Sequence, residues 1–455
     1  MDNRETSSAV TRIKSLLDEF SFVEIGRLAE ARSTDFNLAE KKAPSDGVVT
    51  GYGTIDGSLV YIYAQDSAVL GGSIGEMHAR KIANLYSMAM KNQAPVISLI
   101  DCSGVRLEEA DDALFGLGRI FKKQTLASGQ IPEITVVFGN CGGGLTVLAG
   151  LSDFVAMEAK DARMYVNAPD AVQGNKDDKI AKAETQAANG LVDFYGTEDE
   201  IFAQIRKLVS ILPGSNDEGG VQDENTDDLN RSVGAFDTLD AEEAAKQLSD
   251  NGVFIETKKG YSKDVLTGLA QIGGETVGLV LNKSANLTWK GAEKAAKLVT
   301  FCNAFDLPVV SVVDVKKYNN TECTEKFMPE AAARLAYAYA NADVPMITIV
   351  KNAYGTAGVA FGSKALGADA VYAYEGSVFG ILDAKKAAEI LADSDEEKAA
   401  LEKDFGEKAT ALAAAKRGYV DDIIAPEETR QRVAAALQML NWKSVYRPDK
   451  KHGTV

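Results

Sequence analysis

Residues 94–101 read APVISLID, and residues 307–314 read LPVVSVVD. Each is a proline followed by a β-branched apolar run that ends on aspartate, and Pro95 and Pro308 stand 213 positions apart. A second pair keeps that spacing: IPEITVV at 131–137 and VPMITIV at 344–350, from Pro132 to Pro345. Helix-patterned segments precede the first pair at the same distance, HARKIANLYSMAMKNQ at 78–93 and GAEKAAKLVTFCNAFD at 291–306. A period this long is the signature of a duplicated domain, not of a solenoid. Short β-branched runs alternating with helical blocks imply an α/β fold whose strands are buried on both faces.

Working outward, GYGTIDGSLVYIYAQD at 51–66 and GLAQIGGETVGLVLNK at 268–283 read as matching hairpins, each with a glycine in its turn. The segment SNDEGGVQDENTDDLN at 215–230 carries six acids and no base, and follows Leu212-Pro213-Gly214. That composition reads as a solvated linker. The expected organisation is therefore an N-terminal domain over 1–213, an acidic linker over 214–234 and a C-terminal domain over 235–455. Residues 385–416, rich in Ala, Glu and Lys, read as helix.

The 455 residues are 45% hydrophobic and 25% charged, the balance of an ordinary globular protein, with a formal net charge of -17. Such a charge argues against nucleic acid or an anionic membrane as partner. No apolar run reaches the ~18 residues that span a bilayer, and the mixed-charge N-terminus lacks the apolar core of a signal peptide. The four cysteines, Cys102, Cys141, Cys302 and Cys323, are widely spaced. They give neither a zinc pattern nor a disulfide framework. A cytoplasmic protein without a metal site is expected.

Chemistry enters at GNCGGGLTVLAG, residues 139–150, where a strand-like run meets a helix-capable one. Glycine costs about 1 kcal/mol relative to alanine inside regular structure. The stretch is neither a P-loop, since no Gly-Lys-Ser/Thr follows, nor a GxGxxG. A spacing of 213 places Gly142, Gly143 and Gly144 on Gly355, Thr356 and Ala357. Both halves thus put small residues where a buried strand ends, and backbone amides there can approach a ligand oxygen closely. One such oxyanion hole per half suits a reaction between two carbonyl-stabilised centres. Asp101-Cys-Ser-Gly-Val-Arg106 ends the neighbouring strand, so an amide of the Gly104/Val105 turn could join those of Gly143 and Gly144 around a thioester oxygen.

These segments together resemble the carboxyltransferase subunits of biotin-dependent acyl-CoA carboxylases and the related subunits of acyl-CoA decarboxylases. The likeness runs nearly end to end, through RIKSLLDEFSFVEI (12–25), DGVVTGYGTIDG (46–57), GGSIGEMHARKI (71–82), SGVRLEE (103–109) and ASGQIPEITVVFGNCGGG (127–144). It continues through FCNAFDLPVVSVVDV (301–315), KNAYGTAGVAFGSKALGAD (351–369) and the tail KKHGTV (450–455). The resemblance implies two tandem crotonase-like (ClpP/crotonase) domains that move CO2 between biotin and the α-carbon of a short acyl-CoA. It implies that amides at Val105, Gly143 and Gly144 hold the acyl thioester oxygen, with Ser73, Gly104, Arg106 and Val359 on the substrate side. Amides at Thr356 and Ala357 would hold the biotin ureido oxygen, beside Gly355, Lys317 and Tyr318. Biotin would come on a separate biotin carboxyl carrier protein, with a biotin carboxylase or a membrane decarboxylase subunit as further partner. Homo-oligomerisation, often as a hexamer, follows from active sites shared between subunits.

Departures from the family pattern are concentrated on the biotin side. Lys316 and Lys317 replace small loop residues, Thr356 stands where glycine is usual, and the segment between Asn167 and Asp193 is short and polar. They keep open a catalytically impaired, CoA-binding paralogue beside the carboxylase and the decarboxylase of a sodium-pumping complex. A crotonase-type hydratase or isomerase would need a carboxylate near Gly143 that the sequence does not identify. Ala89-Met90-Lys91 matches the centre of a biotin-attachment motif, but Ile82, Leu85 and Ala89 place it on an amphipathic helix, not a hairpin. Surface positions are expected for Arg80 and Lys81 on a solvated helix face and for Glu108, Glu109, Asp111 and Asp112 at a helix start. His78 is expected to pack or hydrogen-bond near its helix start.

Overall fold

In the computed structural model, residues 7–31, 36, 43–218 and 227–445 are described. The chain divides into two compact units, Met1–Gly219 and Gly220–Val455. The first contains strands β1 (Val23–Ile25), β2 (Val48–Ile55), β3 (Ser58–Gln65), β4 (Val96–Cys102), β5 (Glu133–Gly142), β6 (Phe154–Glu158), β7 (Arg163–Tyr165) and β8 (Phe194–Gly196). Its helices are α1 (Ser8–Leu16), α2 (Glu76–Lys91), α3 (Ala110–Ala127), α4 (Leu145–Leu151), α5 (Ala183–Ala188) and α6 (Glu198–Ile211). The strands form one sheet in the order β1-β2-β3-β4-β5-β6-β8, with β7 continuing beside the far end of β5. Only β1, β2 and β3 pair antiparallel; the rest of the sheet is parallel.

The second unit repeats this plan with β9 (Phe254–Thr257), β10 (Val265–Ile272), β11 (Glu275–Asn282), β12 (Asn286–Leu287), β13 (Val309–Val315), β14 (Lys317–Tyr318), β15 (Met346–Tyr354), β16 (Ala370–Gly380) and β17 (Asp422–Ile423). Its helices are α7 (Ala241–Leu248), α8 (Trp289–Ala304), α9 (Glu322–Asn341), α10 (Gly355–Ala360), α11 (Ala384–Leu391), α12 (Asp395–Lys408), α13 (Ala411–Lys416) and α14 (Thr429–Leu440). The sheet order β17-β16-β15-β13-β11-β10-β9 matches that of the first unit strand for strand. One long strand, β16, takes the place of β6 and β7 together, because its two ends pair with successive parts of β15. The duplication read from the paired prolines is thus a duplication of architecture.

Local chemistry explains the elements. Both hairpins turn through two residues with positive φ, Asp56 (49°) and Gly57 (83°) in one, Gly273 (67°) and Gly274 (81°) in the other. That is the mirror-image turn whose twist suits antiparallel strands. Helix α2 buries Ala79, Ile82, Leu85, Tyr86 and Ala89, a stripe at helical spacing, which keeps Lys91 off any hairpin. Its counterpart α8 buries Ala292, Ala295, Ala296, Val299 and Cys302, and its Thr288 cap accepts the Gly291 amide at 3.1 Å.

The structure refines two expectations. The run 385–416 is not one helix: Ser394 and Thr410 act as N-caps and divide it into α11, α12 and α13. The described flanks of the acidic segment are exposed at Asn216, Asp217, Glu218, Asp228 and Asn230, yet each is tethered to the unit beside it. Ser215 is buried, and the Asn216 amide donates to the Gln130 carbonyl in the first unit. Asp227 pairs with Arg231 and Arg430 in the second unit. Residues 219–226 and the tail KKHGTV, with His452, lie outside the described residues.

Candidate functional site

In the first unit the site lies where β4 and β5 end side by side, with Cys102 opposite Cys141. Beyond Gly142 the chain turns through Gly143 at φ +59°, a left-handed conformation suited to glycine, and Gly144 returns to φ −60° ahead of α4. The Gly143 amide, expected to face a ligand, instead donates to the Tyr165 carbonyl at the end of β7, at 2.9 Å. The outward donor is therefore the Gly144 amide, for which no acceptor is present among the described residues. The Gly143 carbonyl is occupied too, accepting the Thr146 amide at 3.1 Å and the Thr146 hydroxyl at 2.6 Å.

The second wall is the loop after β4. Ile74 clasps it from both sides, its amide donating to the Gly104 carbonyl and its carbonyl accepting the Arg106 amide, each at 2.9 Å. Gly104, at φ +120°, holds its own amide against Cys102 Sγ at 3.4 Å. Between them the half-buried Val105 keeps its amide without an acceptor among the described residues. Two strand-end amides, of Val105 and Gly144, are what this unit offers an oxygen.

Arg106 and Ser73, expected on the substrate side, point into the protein. Arg106 is 2% exposed; its Nε donates to Ser73 Oγ at 3.1 Å and its Nη2 to the Ser73 carbonyl at 2.8 Å. Its Nη1 bridges Asp46 and Glu109. Glu109 is accordingly buried, not part of a surface acidic turn, and Lys81 is buried on Ser45 and the Val48 carbonyl instead of lining a solvated face. Arg80 does stay exposed, paired with Glu76. His78 is fully buried; its Nδ1 meets the Asp46 carbonyl at 2.9 Å and its Nε2 meets Gln65. Burial and the nearby Arg106 charge push its pKa down to about 3, so it is neutral. Sequence reading missed this cluster because its members are scattered between 46 and 109 and share no spacing.

The second unit carries the same geometry with a one-residue slip. Between Val137 and Cys141 β5 has three residues where β4 has one, whereas between Val350 and Asn352 β15 has one residue where β13 has none. One residue fewer in that bulge changes the spacing from 213 to 212 at the strand end. Gly143 therefore corresponds to Gly355, at φ +55°, and Gly144 to Thr356, not to Ala357. The neighbouring loop is matched amide for amide: Asn319 donates to the Leu287 carbonyl at 2.8 Å as Arg106 does to Ile74. Tyr318 thus occupies the place of Val105, and Lys316 and Lys317 are exposed at the place of Ser103 and Gly104. Instead of a glycine turn, Lys317 and Tyr318 form β14 against β12, with α10 packed beside them.

Thr356 and Val359, both exposed, open onto a cavity of about 770 Å³ within the second unit, walled by Phe361, Phe379, Ile381 and Leu382. Val359, expected on the acyl-CoA side, lies in this wall of the second unit. Its size and apolar walls suit a bicyclic ring such as that of biotin, with the first-turn amides of α10 at one side. Phe405 and Tyr419 on the far wall come from α12 and the stretch after α13, which nothing in the sequence linked to the site. Among the described residues no group of three or more His, Cys, Asp or Glu could hold a metal ion. No helix there is long and apolar enough to cross a membrane.

Residues 3–455 match the carboxyl transferase domain family. The chain is 37% identical to the propionyl-CoA carboxylase beta chain of Roseobacter denitrificans, over 98% of this chain and 93% of that protein. It is 36% identical to the methylmalonyl-CoA decarboxylase subunit alpha of Veillonella parvula, over 98% and 92%. Among solved structures it matches transcarboxylase 12S, a hexamer with methylmalonyl-CoA and methylmalonic acid bound, with a TM-score of 0.94 and 33% identity over 98% of this chain and 91% of that one.

Proposed function

The chain belongs to the carboxyl transferase family, and we propose that its two amide pairs divide the work of moving a carboxyl group between biotin and an acyl-CoA. Biotin-dependent acyl-CoA carboxyltransfer is the chemistry of its relatives, and its two units are the tandem crotonase-like domains that the family resemblance implies. The observation carrying this reading is the recurrence, in both units, of a positive-φ glycine followed by an amide at a strand end: Gly143 then Gly144, Gly355 then Thr356.

On the first unit, the Val105 and Gly144 amides receive the thioester oxygen of a short acyl-CoA such as propionyl- or methylmalonyl-CoA. Charge grows on that oxygen as the α-carbon becomes enolate-like, so the two donors bind the transition state more tightly than the ground state. One such donor is worth about 100-fold or more in rate. On the second unit, the Thr356 amide, with that of Tyr318, faces the ureido oxygen. Biotin, when bound there, supplies the nitrogen that carries the carboxyl group. The chain's own residues hold the two oxygens and exclude water through the apolar cavity wall around Val359. No side-chain base is required on this chain.

The carrier of biotin is a separate protein in this reading, and the assembly a homo-oligomer like the hexamer of transcarboxylase 12S. Decarboxylation and carboxylation use the same half-reaction, so both remain within reach of this site. The test is decarboxylation of methylmalonyl-CoA in the presence of free biotin. Biotin-dependent turnover supports the assignment; its absence with methylmalonyl-, malonyl- and other short dicarboxylic CoA esters would favour the CoA-binding paralogue.

A further inference from the structure

The loop carrying Val105 has a difficulty built into it. Gly104 occupies φ +120°, and a Cβ added there would meet nothing within 4 Å, so little side-chain packing restrains the turn. Glycine also has more backbone freedom to lose than any other residue. A donor on such a loop contributes to catalysis only if something else holds it still, because preorganisation is what distinguishes an oxyanion hole from water.

Beyond the two backbone bonds to Ile74, what holds it is charge, buried directly beneath. Arg106, the residue after Val105, has its side chain 1% exposed and reaches two carboxylates, Asp46 at 0% and Glu109 at 2%. Each carboxylate has a second commitment on α2: Glu109 accepts the Glu76 amide at 2.6 Å, and Asp46 accepts the His78 amide at 2.7 Å. The guanidinium therefore ties the loop to the first turn of a 16-residue helix through both carboxylates, and through Ser73 to the strand-like stretch that clasps Val105. The fit leaves no slack, since a Cβ on Gly75 would lie 2.4 Å from Arg106 Nη1. A lysine could not reproduce this, because only the planar fork serves Asp46, Glu109 and Ser73 together.

The second unit shows that the device is particular to one side. Asn319 occupies the position of Arg106, and the pairing that Ile74 makes with Val105 is there one residue longer, Asn286 and Leu287 against Lys317 and Tyr318. A buried lysine, Lys294 on the Val265 carbonyl, does repeat Lys81 on the Val48 carbonyl. The duplication thus kept the buried cation under the hairpin, and only the first unit has the arginine clamp.

We propose that Arg106 is a positioning residue for the acyl-CoA side of the reaction, holding the Val105 amide in line for the thioester oxygen without touching substrate. The proposal rests on the assignment of Val105 and Gly144 as the acyl oxyanion donors. Two variants test it: Arg106→Lys, which keeps the charge, and Asp46→Asn, which keeps the shape and weakens one arm of the clamp. The readouts are biotin-dependent turnover and the carbonyl stretching frequency of propionyl-CoA bound to the full-length protein without biotin. The wild type is expected to lower that frequency relative to propionyl-CoA in water. The variants are expected to lose about tenfold or more in kcat, with KM for the acyl-CoA within about threefold, and to lose part of the frequency shift. Reduced kcat with the full shift retained in Asp46→Asn would overturn the positioning role, as would wild-type kcat in both variants. A wild type that shows no shift removes the oxyanion assignment itself, and with it the proposal.

Discussion

The Gly143 amide donates to the Tyr165 carbonyl at 2.9 Å, and this bond decides which glycine of the run 142–144 can serve a ligand. With Gly143 held by β7, the donor role passes to Gly144. Its φ of −60° is the angle proline prefers, so Gly144→Pro deletes the amide without opposing the residue's own φ. A Cβ at this position would come within 2.7 Å of Leu117 Cδ2, the mobile end of a leucine, and Gly144→Ala imposes that same crowding with the amide intact. Steady-state assay of biotin-dependent decarboxylation should show a loss of about 100-fold for the proline variant. The alanine variant should lose far less. Equal losses in the two variants would assign the effect to packing.

Gly143 itself should matter to stability more than to chemistry. A Cβ at this position would meet no atom within 4 Å, so Gly143→Ala is opposed only by the positive φ of +59°. That strain costs roughly 1–2 kcal/mol for a non-glycine residue. Thermal unfolding of the variant should shift downward by a few degrees while the acyl-CoA KM stays near wild type. An unchanged unfolding temperature would mean that the turn relaxes out of the left-handed region.

Much of the architecture is legible in the residues themselves. The paired prolines mark the duplication, and the β-branched runs mark the parallel strands, because burial on both faces leaves its trace on every residue of a strand. The glycines point to the correct strand ends. What the residues do not reveal is register. The bulge that slips Gly144 onto Thr356 lies in VVFGNCG against IVKNAYG, where neither string states how many residues bypass the ladder. Nor does the string tell a buried ion from a solvated one: Lys81 and Glu109 look like their neighbours Arg80 and Glu108, and only the approach of Ser45 to one and the inward turn of the Arg106 side chain onto the other separate them.

Thr356 offers a check on the second unit. Its side chain is exposed at the cavity mouth, and its amide is the proposed donor, so the departure from glycine should be tolerated. Thr356→Gly should leave kcat with free biotin within about threefold, at a cost to α10 of roughly 0.5 kcal/mol or less. Val359→Trp, by contrast, fills the cavity wall and should raise the KM for biotin severalfold with acyl-CoA binding unaffected, as measured by separate titrations. A biotin KM unmoved by the tryptophan would detach the cavity from the biotin side.

Glu133 gives the protein a pH dependence unrelated to catalysis. It opens β5 at 1% exposure, and neither its carboxyl oxygens nor Gln124 Oε1 beside it form a well-made hydrogen bond. Burial, and then the charge of Asp153, push its pKa up to about 9 from an ordinary 4.5, with Gln124 only partly opposing. Between those two values the folded protein holds a proton that the unfolded chain releases. Stability from this group is therefore complete below pH ~4.5 and declines as pH rises toward 9, by up to about 1.4 kcal/mol per pH unit. Neutral at every pH, Glu133→Gln should remove that slope and raise the unfolding midpoint at pH 8 relative to wild type. Denaturant titrations of both proteins at pH 6 and pH 8 measure the difference. If the variant's advantage does not grow with pH, the side chain is already ionised in the folded state, and some partner must then be compensating the buried charge.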